Sequence, residues 1–315
     1  MNSTNFKKYI SYVKGKRKSN IEDQYIEKDY FISLFLSNWQ TLKDAGKVLH
    51  LDKLIFKGGT LLARNYLDYP RISEDIDFTY EGSNDLREMG SKNKREKAIL
   101  KLIAPIIDDI KLICDNGKFV FETSRTNRKF VIVRNSRAVY ILNVYYNSMI
   151  TGEEIPIKIE LNFLEHIFHD CPELKINNIV YQDLYLKSIG YNLSNIMIRT
   201  YPLDELIIEK YRAILTRDTL KERDVFDLYL INKNFKNVLS FDNTLIFEKI
   251  ESGYMISPDL SKNLEQNCTL LHNDSFGTSD DDISRLSLVE INEKDFEEFK
   301  KRLYVKLKTV CMYSN

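Results

Sequence analysis

At 315 residues, 43% of them hydrophobic and including 17 Phe and 19 Tyr, the chain is long enough for one large domain or two ordinary ones with a sizeable core. Lys+Arg and Asp+Glu balance at 46 each, which excludes a strong global field, so a polyanionic partner has to be met by a local basic surface. The scattered cysteines Cys114, Cys171, Cys268 and Cys311 show no CxxC pairing, and there is neither an apolar run of about 18 residues nor a signal-peptide pattern. These features predict no zinc site, no disulfide framework and no membrane contact, and place the protein in a reducing cytoplasm.

The chain opens on a basic segment from Lys7 to Arg17. Tyr30, Phe31, Leu34, Phe35 and Trp39 then recur at helical spacing, which predicts one amphipathic helix from Ile21 to about Ala45. Lys53-Leu54-Ile55-Phe56 reads as a short buried strand that runs into Gly58-Gly59. A helix follows over Thr60 to Leu67 and closes before Pro70. Ser73 to Tyr80 alternates as a strand does, and Lys92 to Ile113 is helical. Four β-branched and aromatic runs follow, Phe119–Phe121, Phe130–Arg134, Val139–Tyr146 and Ile155–Phe163, and predict a meander extending the same sheet. After Pro172 the pattern turns mostly helical, with helices over Pro202–Thr216 and Leu220–Lys233. The signal weakens beyond Lys236. Asp274 to Ser287, with Asp280-Asp281-Asp282, reads as a mobile loop, and Asp295–Lys308 as a closing helix. The fold class expected is α+β: a mixed sheet flanked by helices over residues 1–170, then a mostly helical domain over 171–315 that completes a cleft.

The chemistry concentrates in two places. Asp75 and Asp77 alternate along one strand, so their carboxylates share a face while Ile76 and Phe78 turn to the other. Their Cα atoms stand roughly 7 Å apart, a span suited to gripping divalent ions about 3.5–4 Å apart. An ordinary surface strand can also show D-x-D. Gly58-Gly59 lies directly between a strand and a helix, where the backbone can approach phosphate, and Thr60 adds a hydroxyl. The plain alternative is a tight turn without a ligand. In Ile157-Lys158-Ile159-Glu160-Leu161-Asn162 the polar residues share a face, which makes Glu160 a candidate third metal ligand or general base, or merely part of a solvated face. In the helical half, Lys210 falls off the apolar stripe of Ile207, Tyr211 and Ile214 and can reach towards phosphate. Asp224 and Asp227 share a helical face, and Arg223 can pair with Asp227. Salt-bridged helices are the alternative.

The ordered set G-G-T-x-L, R-x-S-x-D-I-D-F, E-K-x-x-A and K-x-R-D-x-x-D-L-Y, with Glu27-Lys28-Asp29-Tyr30-Phe31 before it, resembles the AbiEii/AbiGII toxin family of nucleotidyltransferases. That family includes the mycobacterial MenT toxins and belongs to the DNA polymerase β-like superfamily. The resemblance runs from about Ile26 to Tyr229. It implies that Gly58, Gly59 and Thr60 bind nucleotide phosphates and that Asp75 and Asp77 hold Mg²⁺ (or Mn²⁺). It also implies that Lys210 contacts the triphosphate of an NTP, GTP or a pyrimidine nucleotide in relatives, and that Asp224 completes the site with Arg223 and Asp227 in support. Ser73 stands where some relatives carry a phosphorylatable serine. The implied activity is that of the toxin of a toxin–antitoxin or phage-defence (abortive-infection) pair, moving NMP onto an acceptor hydroxyl. RNA is the expected acceptor, tRNA 3′ ends in the MenT branch, and a cognate antitoxin is the expected partner. Lys92-Asn93-Lys94-Arg95, Arg125–Lys129, Arg134 and Arg137 are candidates for the local basic surface. Two further readings stand beside this one: a GTP- or NTP-binding toxin that acts by partner binding, and a transferase that modifies a protein or small-molecule hydroxyl.

Overall fold

The computed structural model describes residues 1–235, 237–277 and 283–314. Helix α1 (Ser3–Arg17) starts where the Asn2 side chain accepts the Asn5 amide, and it turns Phe6, Tyr9, Ile10 and Val13 inward. Helix α2 (Asp23–Asp44) buries the predicted stripe, with Phe31 stacked on Tyr146 at 3.9 Å and Trp39 edge-on to Phe78 at 5.4 Å. Its Asp29 pairs with a fully buried Arg64 at 2.6 Å, so this core guanidinium is neutralised where it lies.

The strands β1 (Leu54–Lys57), β2 (Asp75–Tyr80), β3 (Phe119–Val120), β4 (Val131–Arg134), β5 (Val139–Asn147) and β6 (Glu154–Asn162) form one six-stranded sheet. Its order is β1-β2-β6-β5-β3, with β4 paired to β5. The expected mixed sheet is present. β5 and β6 form the long antiparallel hairpin of the predicted meander, and β6 returns to lie parallel to β2. A parallel pair needs a long crossover, and here α4 (Ser83–Glu88), α5 (Lys92–Asp115) and three strands intervene. The run between β1 and β2 is an α-turn, α3 (Gly58–Leu61), continued by a π-turn over Leu62–Tyr66.

The chain resolves into two compact units. The first comprises residues 1–164, 171–201 and 286–289, and the second residues 165–170, 202–285 and 290–315. Residues 171–201 thus belong with the sheet. They are also less helical than expected after Pro172: β7 (Glu173–Ile176) and β8 (Ile196–Arg199) form an antiparallel hairpin, with a short α6 (Leu184–Ser188) in its connector. Four-residue strands carry too little periodicity to be distinguished from loop, and their pairing across the connector is what stabilises them. Residues 286–289 pair with the approach to β2. Leu288 donates its amide to Pro70 at 2.7 Å, and Ile72 donates to Leu286 at 2.9 Å. The mobile loop expected over 274–287 is therefore corrected at its end, while the acidic run Asp280–Asp282 lies outside the described residues.

The second unit is helical: α7 (Leu203–Thr216), α8 (Glu222–Asn234), α9 (Asn243–Gly253), α10 (Asp259–His272) and α11 (Glu293–Cys311). Segment 165–170 belongs to it because the buried Glu205 carboxylate accepts the Phe168 and His169 amides at 3.1 Å each and pairs with Lys249 at 2.7 Å. Helices α9 and α10 lie where the sequence signal had weakened. Asp242 caps α9, and Leu264, Cys268 and Leu271 give α10 a narrow buried stripe. The expectation of no disulfide is corrected here. Cys268 and Cys311, 43 residues apart, are bonded with their Cα atoms 5.7 Å apart, because α10 packs beside α11. That bond also removes cysteine usage as an argument for a reducing compartment. Among the described residues no helix is long and apolar enough to cross a membrane.

Candidate active site

Strand β2 places Asp75 and Asp77 half-buried on one face while Ile76 and Phe78 are buried on the other. The parallel register with β6 sets Asp75 opposite Lys158 and Asp77 opposite Glu160; on the other side of β2, Lys57 is opposite Asp77. Three carboxylates and two lysines thus share one stretch of sheet. The Lys158 ammonium stands 3.1 Å from Glu160 and 3.8 Å from Asp75. Burial alone would push that ammonium towards its neutral form, but Glu160, Asp75 and Asp77 outweigh it and hold the lysine more firmly charged than usual.

Asp77 shows the opposite strain. Burial first, then the charges of Glu160 and Asp75, raise Asp77 to about 7, with Lys57 and Lys158 offsetting only part of that rise. Asp77 is therefore under pressure to find a cation or a proton. Its carboxylate lies directly over Gly58, which has φ +76°, and a Cβ on Gly58 would sit 2.2 Å from the Asp77 Oδ2. Gly58 is required twice, by its left-handed backbone and by the oxygen above it. At Gly59 a Cβ would meet the Arg71 guanidinium at 2.8 Å and the Ser73 hydroxyl at 3.2 Å. The diglycine bend is thus roofed by one carboxylate and one guanidinium, with Ser73 beside the latter.

Thr60, expected to offer its hydroxyl to phosphate, is buried and donates it to the Asp75 carbonyl, tying the bend to the start of β2. Arg71, Lys57 and Lys158 are the functional candidates the sequence reading passed over. Arg71 had a usable signal, two positions before Ser73 in the R-x-S-x-D-I-D-F run. The lysines had only the strand alternation that also singled out Glu160.

Oxygen donors of this kind suit a hard divalent ion. Among the described residues, however, no three His, Cys, Asp or Glu side chains gather tightly enough to enclose one. The position between Asp75 and Glu160 is taken by the Lys158 ammonium. The donors fit a divalent cation in chemistry, and a second cationic role is already filled from within the chain.

Lys210, Arg223, Asp224 and Asp227 belong to the second unit. Lys210, expected off the buried stripe, is itself buried, with its ammonium 2.7 Å from Asp224 and 2.6 Å from Asp227. Arg217 forms a second ion pair with Asp224. Burial pushes the Asp224 carboxyl up, but Lys210, then Arg217, reverse this and hold it at about 2. The basic residues proposed as a nucleic-acid surface are partly neutralised: Arg137 pairs with Glu96 at 3.0 Å and Lys129 with Glu154 at 2.8 Å.

A family model described as nucleotidyl transferase AbiEii toxin, type IV TA system, matches residues 40–313, and the chain belongs to that family. It is a nucleotidyltransferase of the toxin–antitoxin class. Among solved structures, the nucleotidyltransferase toxin MenT4 of Mycobacterium tuberculosis is similar over 95% of this chain and 89% of its own, at 17% identity and a TM-score of 0.54. This is a likeness of fold. JHP933 of Helicobacter pylori aligns over 93% of this chain and 94% of its own at 15% identity, with a TM-score of 0.44. No curated protein matches the sequence.

Proposed function

We propose that this AbiEii-family enzyme moves NMP from an NTP to a hydroxyl of RNA, a tRNA 3′ end being the first acceptor to test, and that the neighbouring strands β2 and β6 are where the chemistry occurs. One observation carries the reading. Asp77, raised to about 7 by burial and then by Glu160 and Asp75, lies over a diglycine bend too close for any side chain. A half-buried anion crowded by like charges is costly in a merely structural role. It becomes favourable when a cation shares it.

Asp75 and Asp77 would hold Mg²⁺ or Mn²⁺, with Glu160 next to them. Such an ion, when bound, neutralises phosphate oxygens and steadies the negative charge that develops on the leaving group. The chain's own residues do the rest. Gly58 and Gly59 let the Asp77 carboxylate and the Arg71 guanidinium come close against the backbone of the bend, and Arg71 and Lys57 supply positive charge for phosphate beside it. Thr60 fixes the height of β2 against that bend through the Asp75 carbonyl. Lys158 balances Glu160 and Asp75, so the site is not driven apart when no ion is bound. Through the family resemblance Lys210 is proposed to contact the triphosphate and Asp224 to complete the site, with Arg223 and Asp227 in support. The toxin's partner would be a cognate antitoxin encoded nearby, with the cytoplasm as the compartment where NTPs and tRNA are found.

The test is incorporation of each labelled NTP in turn into total RNA, with tRNA resolved separately, by wild type and by Asp75→Asn and Asp77→Asn. Label in one RNA class that both variants abolish supports the reading. Wild-type protein that labels no RNA under Mg²⁺ or Mn²⁺ would overturn the RNA acceptor, and label retained by both variants would overturn the site.

A further inference from the structure

The opening helix has a feature that the proposed chemistry does not use. Residues 1–21 carry six cationic side chains (Lys7, Lys8, Lys14, Lys16, Arg17 and Lys18) and no carboxylate, in a chain whose totals balance at 46 each. Two of the six are paired, Lys14 with Asp23 at 2.6 Å and Arg17 with Asp68 at 3.3 Å. The other four are exposed lysines, and none has an ion pair among the described residues. Packing turns Lys7 and Lys8 outward, because Phe6, Tyr9, Ile10 and Val13 hold the other face of α1 in the core, and Lys18 is the exposed left-handed cap at its end.

The connector between β7 and β8 is fastened to the same helix. Tyr191 stacks on Tyr9 with ring centroids 5.0 Å apart, and Tyr185 stacks on Tyr12 at 5.4 Å. The Tyr12 hydroxyl donates to Asp183, which also accepts the Leu186 amide, so this carboxylate beside the lysines is already engaged. Next to it the connector shows solvent Tyr181 at 84% exposure and Tyr185 at 46%. Tyr185 is held by its stack on Tyr12, and Tyr181, four residues before it on the same anchored segment, stands open to solvent.

We propose that this face, Lys7, Lys8, Lys16 and Lys18 with Tyr181 and Tyr185, holds a single-stranded stretch of nucleic acid, with phosphates on the lysines and bases on the tyrosines. Exposed rings interleaved with cations that have no carboxylate of their own are what a flexible polyanion with accessible base faces requires. A duplex offers phosphates but no free base faces, and an acidic protein would not need the rings. The inference rests on the RNA-acceptor reading above and adds where the strand is held.

The test measures fluorescence anisotropy of a labelled single-stranded RNA oligonucleotide and of its duplex, without nucleotide or metal, over a salt series. The proteins are full-length wild type, Lys7→Glu/Lys8→Glu/Lys16→Glu/Lys18→Glu and Tyr181→Ala/Tyr185→Ala, each checked by its melting curve. The lysine variant should lower the salt slope by about 2–3, at about 0.7 for each phosphate it no longer neutralises. The tyrosine variant should weaken single-strand binding about tenfold or more and leave duplex binding nearly unchanged. Should Tyr185→Ala disturb the connector, Tyr181→Ala alone serves, since that ring is almost free. Wild-type affinity and salt slope in both multiple variants, in a protein that still labels RNA, would overturn this surface and leave the acceptor reading standing. Wild-type protein that neither binds nor labels RNA would overturn both.

Discussion

Two groups of charges in this molecule are built from the same residue types and end in opposite electrostatic states. On the neighbouring strands β2 and β6, three carboxylates crowd a half-exposed stretch of sheet with anionic charge in excess, and Asp77 is raised to about 7. In the second unit, Lys210 and Arg217 close around Asp224 and Asp227, and Asp224 is held at about 2. Both aspartates lose water to burial. What differs is the partner: like charges for Asp77, opposite charges for Asp224. The first arrangement stores a demand for a cation, while the second has met that demand internally and contributes to the fold.

Substitutions should separate the two. The largest effect is expected at Asp77→Asn, which removes a charge the chemistry needs and the fold resists. Turnover measured by labelled-NTP transfer should fall by about 10³ or more. The melting temperature should hold or rise, with a gain on the order of 1 kcal/mol after discounting for partial exposure. A variant that is both inactive and destabilised would mean the carboxylate is structural.

Next comes Lys210→Met, where the order of effects reverses. It leaves Asp224 and Asp227 buried without their shared ammonium, a loss of about 3–5 kcal/mol by denaturant unfolding. The same group predicts an acid limb. Because Asp224 titrates lower when folded than when unfolded, its contribution is fully present above about pH 4 and is lost as pH falls through about 2. Asp224→Asn should flatten the wild-type stability curve in that window, and an unchanged curve would break the comparison.

Gly58→Ala should cost roughly 1–3 kcal/mol in thermal stability, since φ +76° is strained for any L side chain. It should also displace the Asp77 carboxylate, so the activity loss should exceed what the stability loss explains. The smallest effect is expected at Lys158→Met. Metal-free stability should fall by about 1 kcal/mol as the carboxylates lose their internal cation, while Mn²⁺ affinity by calorimetry should rise. Weaker Mn²⁺ binding would show that the lysine supports the ion and does not compete with it.

Much of this was legible in the chain. The D-x-D alternation, the strand before Gly58-Gly59 and the aromatic stripe of α2 all follow from periods of 2 and 3.6 residues, and the structure has them where the patterns point. The β7–β8 hairpin was not legible, because four-residue strands owe their existence to a partner some twenty residues away. The same is true of the disulfide, which depends on α10 meeting α11, and of residues 286–289, which pin the approach to Arg71.

By itself the sequence determined which residue types stand at which phase of each element, and with them the family and the faces that carry charge. Tertiary structure alone decided what those charges meet: Lys158 between Asp75 and Glu160, Asp77 over Gly58, and Lys210 enclosed by two carboxylates. The reason is that local phase depends on backbone geometry within a few residues, whereas the sign of an electrostatic shift depends on neighbours brought together through space from distant parts of the chain.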